Sequence, residues 1–178
     1  MKILQDIEKA MELLRDHLTP NEPKLVIDRE SQIEPKSLYP FGLYKILNLF
    51  QVPEHSASKV LEPIVVDDVT DPDKLNEITK KISRATISIS FVHNKSLATA
   101  MDLASRAMDY FDSIEGLKAC QAIEVSPKLV SGDIQDRTIP MDTIRYDYRT
   151  GFDLHFDYYK VKTKQVGKPS SAPVIEEE

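Results

Sequence analysis

Asp153, His155 and Asp157 occupy alternate positions of one segment, so on an extended chain they share a face. A histidine between two carboxylates could hold a divalent cation, and the chemistry implied is that of a small metal-dependent hydrolase. Alternation alone asks for polar residues at the same places, and a solvated strand face is the reading adopted. His17, His55 and His93 have no cysteine or carboxylate at metal-ligand spacing. Cys120 has no histidine near it in sequence and reads as a buried or half-buried thiol rather than a nucleophile. No phosphate-cradling glycine loop and no Gly-x-Ser-x-Gly elbow is present, and Ser131-Gly132-Asp133 reads as a turn. Lys160, Lys162 and Lys164 repeat at period two. They could meet a phosphate or an acidic partner, but lysines that blunt an exposed strand edge are the preferred reading. No catalytic, cofactor-binding or metal-binding residue is therefore assigned, and no enzymatic activity is expected.

The element that carries the first three residues is the strongest signal in the chain. From Ile144 to Tyr158 the even positions are Ile, Tyr, Tyr, Thr, Phe, Leu, Phe and Tyr, and the odd positions are polar apart from Gly151. That pattern predicts one long strand with a dry and a wet face. It exceeds the usual five or six residues, so Gly151 is expected to mark a bulge or bend. The aromatic face needs cover.

The best cover is a helix opened by His93-Asn94-Lys95-Ser96, with Asn94 or Ser96 as its cap and Gly116 ending it in the left-handed conformation. Leu97, Met101, Ala104, Met108 and Phe111 line one side, widened by Ala100, Leu103, Ala107 and Ile114. Phe152, Leu154 and Phe156 are expected to pack on Met101, Ala104, Met108 and Phe111. A second amphipathic helix is predicted over 2–18, with Ile3, Ile7, Met11, Leu14 and Leu18 inward and Asp6 among the outward residues.

Between the helices, Leu25-Val26-Ile27 is a short strand and 28–42 a loop. Leu43–Phe50 is apolar on both faces apart from Lys45 and Asn48, so it reads as a strand covered on both sides or as one side of an interface. A loop over 51–59 precedes a strand within 60–69, and 67–73 reads as a turn centred on Asp71-Pro72-Asp73. Lys74–Lys81 fits either a helix start or a backward extension of the next strand, which is clear from Thr86 to Val92. Ala122–Val130 is a strand whose Pro127 implies an edge or bulge, and 131–143 is a loop. There is no internal repeat.

The totals agree with one domain of 178 residues, 41% hydrophobic and able to form a real core. The fold class expected is α+β: a mixed or mainly antiparallel sheet, two main helices and long loops. Residues 1–165 form the domain and 166–178 a flexible acidic tail, too poor in apolar residues to order itself. A single cysteine excludes an internal disulfide framework and fits a reducing compartment. The early acidic residue Asp6 argues against a signal peptide, and no apolar run approaches the roughly 20 residues of a membrane helix. A net charge of −6 argues against wrapping nucleic acid.

The order of parts resembles the neck or tail terminator proteins of tailed bacteriophages, also called head–tail joining or tail-completion proteins. The features that carry the likeness are Ile87-Ser88-Ile89 before the long helix and a final strand of type Arg-x-x-Phe-Asp-hydrophobic-x-Phe. The second matches Arg149, Phe152, Asp153, Leu154 and Phe156. The likeness is best over about 84–160, and the acidic tail lies outside the pattern. It implies a structural virion protein at the neck, assembled in the host cytoplasm, whose copies form a ring, typically a hexamer. The implied partners are further copies of itself, a connector, stopper or portal-associated protein, and the tail tube protein. DNA would pass through the lumen without sequence-specific binding, and no membrane is involved. Other connector roles, such as stopper, adaptor or head-completion protein, stay open beside it.

Overall fold

The spacing of apolar residues in the first turns builds α1 (Lys2–Leu18), which buries Ile3, Ile7, Met11, Leu14 and Leu18 as expected. Asp6, placed outward on the sequence pattern, is also buried. The computed structural model describes residues 2–30, 39–51, 58–66, 69–140 and 146–167. Most of the acidic tail and parts of the expected loops 28–42, 51–59 and 131–143 lie outside the described residues.

The strands are β1 (Val26–Arg29), β2 (Phe41–Gln51), β3 (Ser58–Val66), β4 (Val69–His93), β5 (Val125–Leu129), β6 (Gln135–Asp136), β7 (Ile139–Pro140) and β8 (Tyr146–Gly167). Their order is β1-β2-β4-β8-β5, with β3 on β4 and with β6 and β7 on β8. The β1–β2 pair is parallel, and β2 and β3 meet β4 antiparallel. The fold is α+β with a mixed sheet. Two compact units make up the chain: Met1–Val52 with Ser83–Tyr158, and Pro53–Ile82 with Tyr159–Glu178.

In the first unit, α2 (Leu97–Asp112) and α3 (Ile114–Ala122) join α1 around one core. The Ser96 hydroxyl caps α2 by accepting from the Thr99 amide at 3.3 Å. Its end differs from expectation. Gly116 does not terminate it but lies inside α3, a third helix, and among the described residues no glycine has positive φ. Ser113 makes the break: its hydroxyl donates to the Tyr110 carbonyl at 2.7 Å and accepts from the Gly116 amide at 3.0 Å. A Cβ on Gly116 would lie 2.0 Å from the Tyr110 carbonyl oxygen, so the residue serves close approach rather than a left-handed turn. After α3, Glu124 takes φ 63 and leads into β5, which starts later than the expected strand at 122. β5 ends the strand order, which suits Pro127.

Phe152, Leu154 and Phe156 are fully buried, with Ala104 and Phe111 in the same core and Met108 packed against it. Phe111 and Phe156 meet edge to face, their ring centroids 5.7 Å apart. Met101 departs from the expectation at 43% exposure, and Ile114 is exposed; Tyr110 takes core space instead. Thr150, the polar break in the aromatic series, is fully buried, and its hydroxyl has no hydrogen-bond partner among the described residues.

In the second unit, β3 and β4 form a hairpin that pairs Val66 with Val69. The turn expected over 67–73 is therefore corrected, because Asp71-Pro72-Asp73 is part of β4. The register jumps from Pro63↔Leu75 to Ile64↔Asp71, which leaves residues 72–74 without a partner on β3. Pro72 has no N–H to give a ladder, so a bulge accommodates it. Lys74–Lys81 extends the strand rather than starting a helix.

Candidate functional site

The wet face of β8 in the first unit meets a complementary polar series on β4. Arg84 forks onto Asp157 through Nε at 2.6 Å and Nη2 at 2.8 Å. Thr86 Oγ1 lies 3.1 Å from His155 Nδ1. Arg137, from the segment after β6, reaches Asp153 at 2.8 Å and donates to the hydroxyls of Ser88 and Ser90 at 2.5 and 3.1 Å. From Arg84 to Thr86 the β4 number rises by two while the β8 number falls by two, as an antiparallel pair requires. Arg149 bonds Glu30 at 3.1 Å, tying β8 to the end of β1. The Arg149 bond holds the Glu30 carboxyl below its usual range, against an opposing effect of burial.

Gly151 lies in this face. A Cβ there would sit 2.0 Å from the Ile89 carbonyl oxygen and 2.8 Å from Ser90 Cα. The glycine lets two strand backbones approach, and β8 is continuous through it where a dividing bulge or bend was expected.

The structure thus brings Asp153, His155 and Asp157 together on one face, each with a protein partner. Two arginines oppose a cation there, and burial followed by the Arg84 charge lowers the pKa of His155. Among the described residues no group of three or more His, Cys, Asp or Glu is arranged to hold a metal ion. Titration calorimetry with zinc, manganese and magnesium is expected to show no tight binding. A stoichiometric signal abolished in His155→Ala would restore the metal reading.

The other candidates are dispersed. His17 stacks on Tyr110 with centroids 4.6 Å apart, and His93 Nδ1 accepts from the Lys95 and Ser96 amides at 3.0 Å. His55 lies outside the described residues. Cys120 is buried, and desolvation pushes its thiol up to about 12. The partners Arg84 and Arg137 were not singled out from sequence. For Arg84 a signal existed, since Arg84, Thr86, Ser88 and Ser90 form a polar series at period two on β4.

A different surface is left uncovered. β2 buries Phe41, Leu43 and Tyr44, then carries Leu47, Leu49 and Phe50 into exposed positions, Leu47 at 50%. β1 pairs only with 41–44, so among the described residues no strand lies along that edge of 45–51. The register with β4 shifts between Ile46 and Asn48, placing Leu47 at the irregularity. The two-sided apolar strand read from the sequence is therefore core at one end and open at the other.

A family model described as phage neck terminator protein matches residues 5–176. The chain belongs to that family. A neck terminator is a structural component of the phage virion, placed at the head–tail junction among other head–tail proteins. No curated protein matches the chain. Among the described residues no helix is long and apolar enough to cross a membrane. For this neck terminator, Arg149, Phe152, Asp153, Leu154 and Phe156 have physical tasks within the subunit. The apolar residues fill the core, Asp153 anchors Arg137, and Arg149 anchors Glu30.

Proposed function

We propose that the protein works as a closed ring at the head–tail junction, with six copies as the family resemblance implies, and that its action is geometric. The observation that carries this reading is the open end of β2. Leu47, Leu49 and Phe50 leave the core beside an unpaired strand edge, a combination that favours cover by another chain. A ring needs heterologous contacts, in which this surface meets a different surface of the next copy. One ring face would match the last layer of the tail tube protein. The other would meet a connector, stopper or portal-associated protein and could not accept another tube layer. DNA would pass through the lumen, and the net charge of −6 per copy opposes its sticking.

Sedimentation and negative-stain microscopy of the protein, alone and with tail tubes, test the reading. Rings are expected from the natural chain. Leu47→Asp/Phe50→Asp is expected to keep its helical and strand signature while losing rings and tube capping. Particles lacking the protein should have tails of uncontrolled length or unjoined heads. Normal joined particles without it, or a stable monomer that never enters the particle, would overturn the proposal.

A further inference from the structure

Along β4 and β8 the apolar parity reverses between the two units. In the first unit the buried positions of β4 are odd (Ala85, Ile87, Ile89, Phe91) and those of β8 even (Phe152, Leu154, Phe156). In the second unit Ile78 and Ile82 of β4 are even, with the exposed Lys80 between them, and Tyr159 and Val161 of β8 are odd; Lys81 of β4 and Lys160, Lys162 and Lys164 of β8 take the alternate places. Register puts Lys59 opposite Thr79 and Leu61 opposite Glu77, so these four share a face with Lys81. Lys59 pairs with Glu77 at 3.0 Å. β8 is the other neighbour of β4, and the register of Arg84 with Asp157 and Thr86 with His155, continued along both strands, sets Lys164 opposite Glu77. The Glu77 carboxyl is lowered first by the Lys59 hydrogen bond and charge, with the Lys164 charge adding to it. Lys160 and Lys162 share that face by alternation. Over residues 59–61, 77–81 and 160–164 this face carries one acid, Glu77, against Lys59, Lys81, Lys160, Lys162 and Lys164. Lysines at alternate strand positions stand roughly 7 Å apart, within a Debye length, so they repel one another and attract an anion.

We propose that this lysine face is covered by the chain's own segment Val174–Glu178, which thereby keeps nucleic-acid phosphate off it. The segment carries Glu176-Glu177-Glu178, the one run of three acids in the chain, behind the apolar pair Val174-Ile175, and the face offers exposed Leu61 beside its lysines. Reach permits the contact. Glu176 is nine residues past Gly167, up to about 30 Å of chain, and Lys160 lies roughly 23 Å back along β8. Attachment to the same strand gives the segment an effective concentration in the millimolar range, ahead of any acidic partner that must diffuse. The contact is electrostatic and needs no fixed conformation of the segment. It stands apart from the ring proposal, since it concerns a different surface and a single copy.

The test is carbodiimide coupling of the full chain at low salt, with cross-links mapped by mass spectrometry on an equal mixture of 15N-labelled and unlabelled protein. Links from Glu176–Glu178 to Lys160, Lys162 or Lys164 are expected, isotopically pure and lost in 1 M salt. Mixed-isotope links, or none, would overturn the proposal. In parallel, Glu176→Gln/Glu177→Gln/Glu178→Gln is expected to bind a 30-base-pair duplex at least about tenfold more tightly than the natural chain at low salt, with strong salt dependence. Equal binding by both would also overturn it, and equal tight binding would make the face a nucleic-acid site instead.

Discussion

Phe156→Ala is expected to lower the unfolding free energy by about 3–5 kcal/mol, with Phe152→Ala close behind. Both side chains are fully buried, and Phe156 meets the Phe111 ring edge to face. Removing a ring leaves a cavity between the sheet and α2, and main-chain elements held by strands and helices on either side collapse into it only in part. Met101→Ala supplies the contrast. On the same helix, at 43% exposure, it should move stability by no more than about 0.5 kcal/mol. Urea unfolding with unchanged slope measures all three. Midpoints for the phenylalanine variants equal to that of the natural protein would remove the packing account.

Gly151→Ala is expected to destabilise by about 3 kcal/mol although it adds one methyl group. The obstacle is backbone, the Ile89 carbonyl oxygen and Ser90 Cα of the neighbouring strand, which has no rotamer with which to yield. Strand separation would also stretch the bonds of Arg137 to Ser88 and Ser90. Gly132→Ala, where nothing lies within 4 Å of the added carbon, should be neutral to within about 0.5 kcal/mol. Equal melting of the two variants would show that close strand approach is not what position 151 requires.

The polar face of β8 illustrates how chemistry-bearing residues serve assembly of the subunit. Asp153 and Asp157 are bonded by arginines whose side chains are about one-fifth exposed. Removing one partner would leave a half-buried charge, so the pairs specify strand register more than they add net stability. In the pair Lys59–Glu77 the lysine is two-thirds exposed, so water screens the contact and it should contribute little.

Period and amphipathicity are local properties, and the sequence by itself determined whatever follows from them. The α1 face, the aromatic face of β8, the start of α2 at Ser96, the edge position of β5 implied by Pro127 and the α+β class all came from residues close together in the chain. Even the reversal of parity beyond Tyr158 is written there, in the change from Phe152-Leu154-Phe156 to Lys160-Lys162-Lys164 at even positions. The tertiary structure alone decided what depends on partners distant in sequence. Arg84 and Arg137 reach Asp157 and Asp153 across 73 and 16 residues. Met101 is uncovered and Tyr110 buried on a helix whose periodicity admits both. Gly116 and Gly151, read as turn or bulge residues, are instead sites where another backbone comes too close for a Cβ. A glycine in a sequence announces permissiveness without saying whether rotation or space is needed, and only the neighbouring chain supplies the answer. The open end of β2 has the same origin. Its two-sided apolar run continues past Tyr44, but β1 stops pairing there, and where a neighbouring strand ends is a property of the assembled sheet rather than of the strand itself.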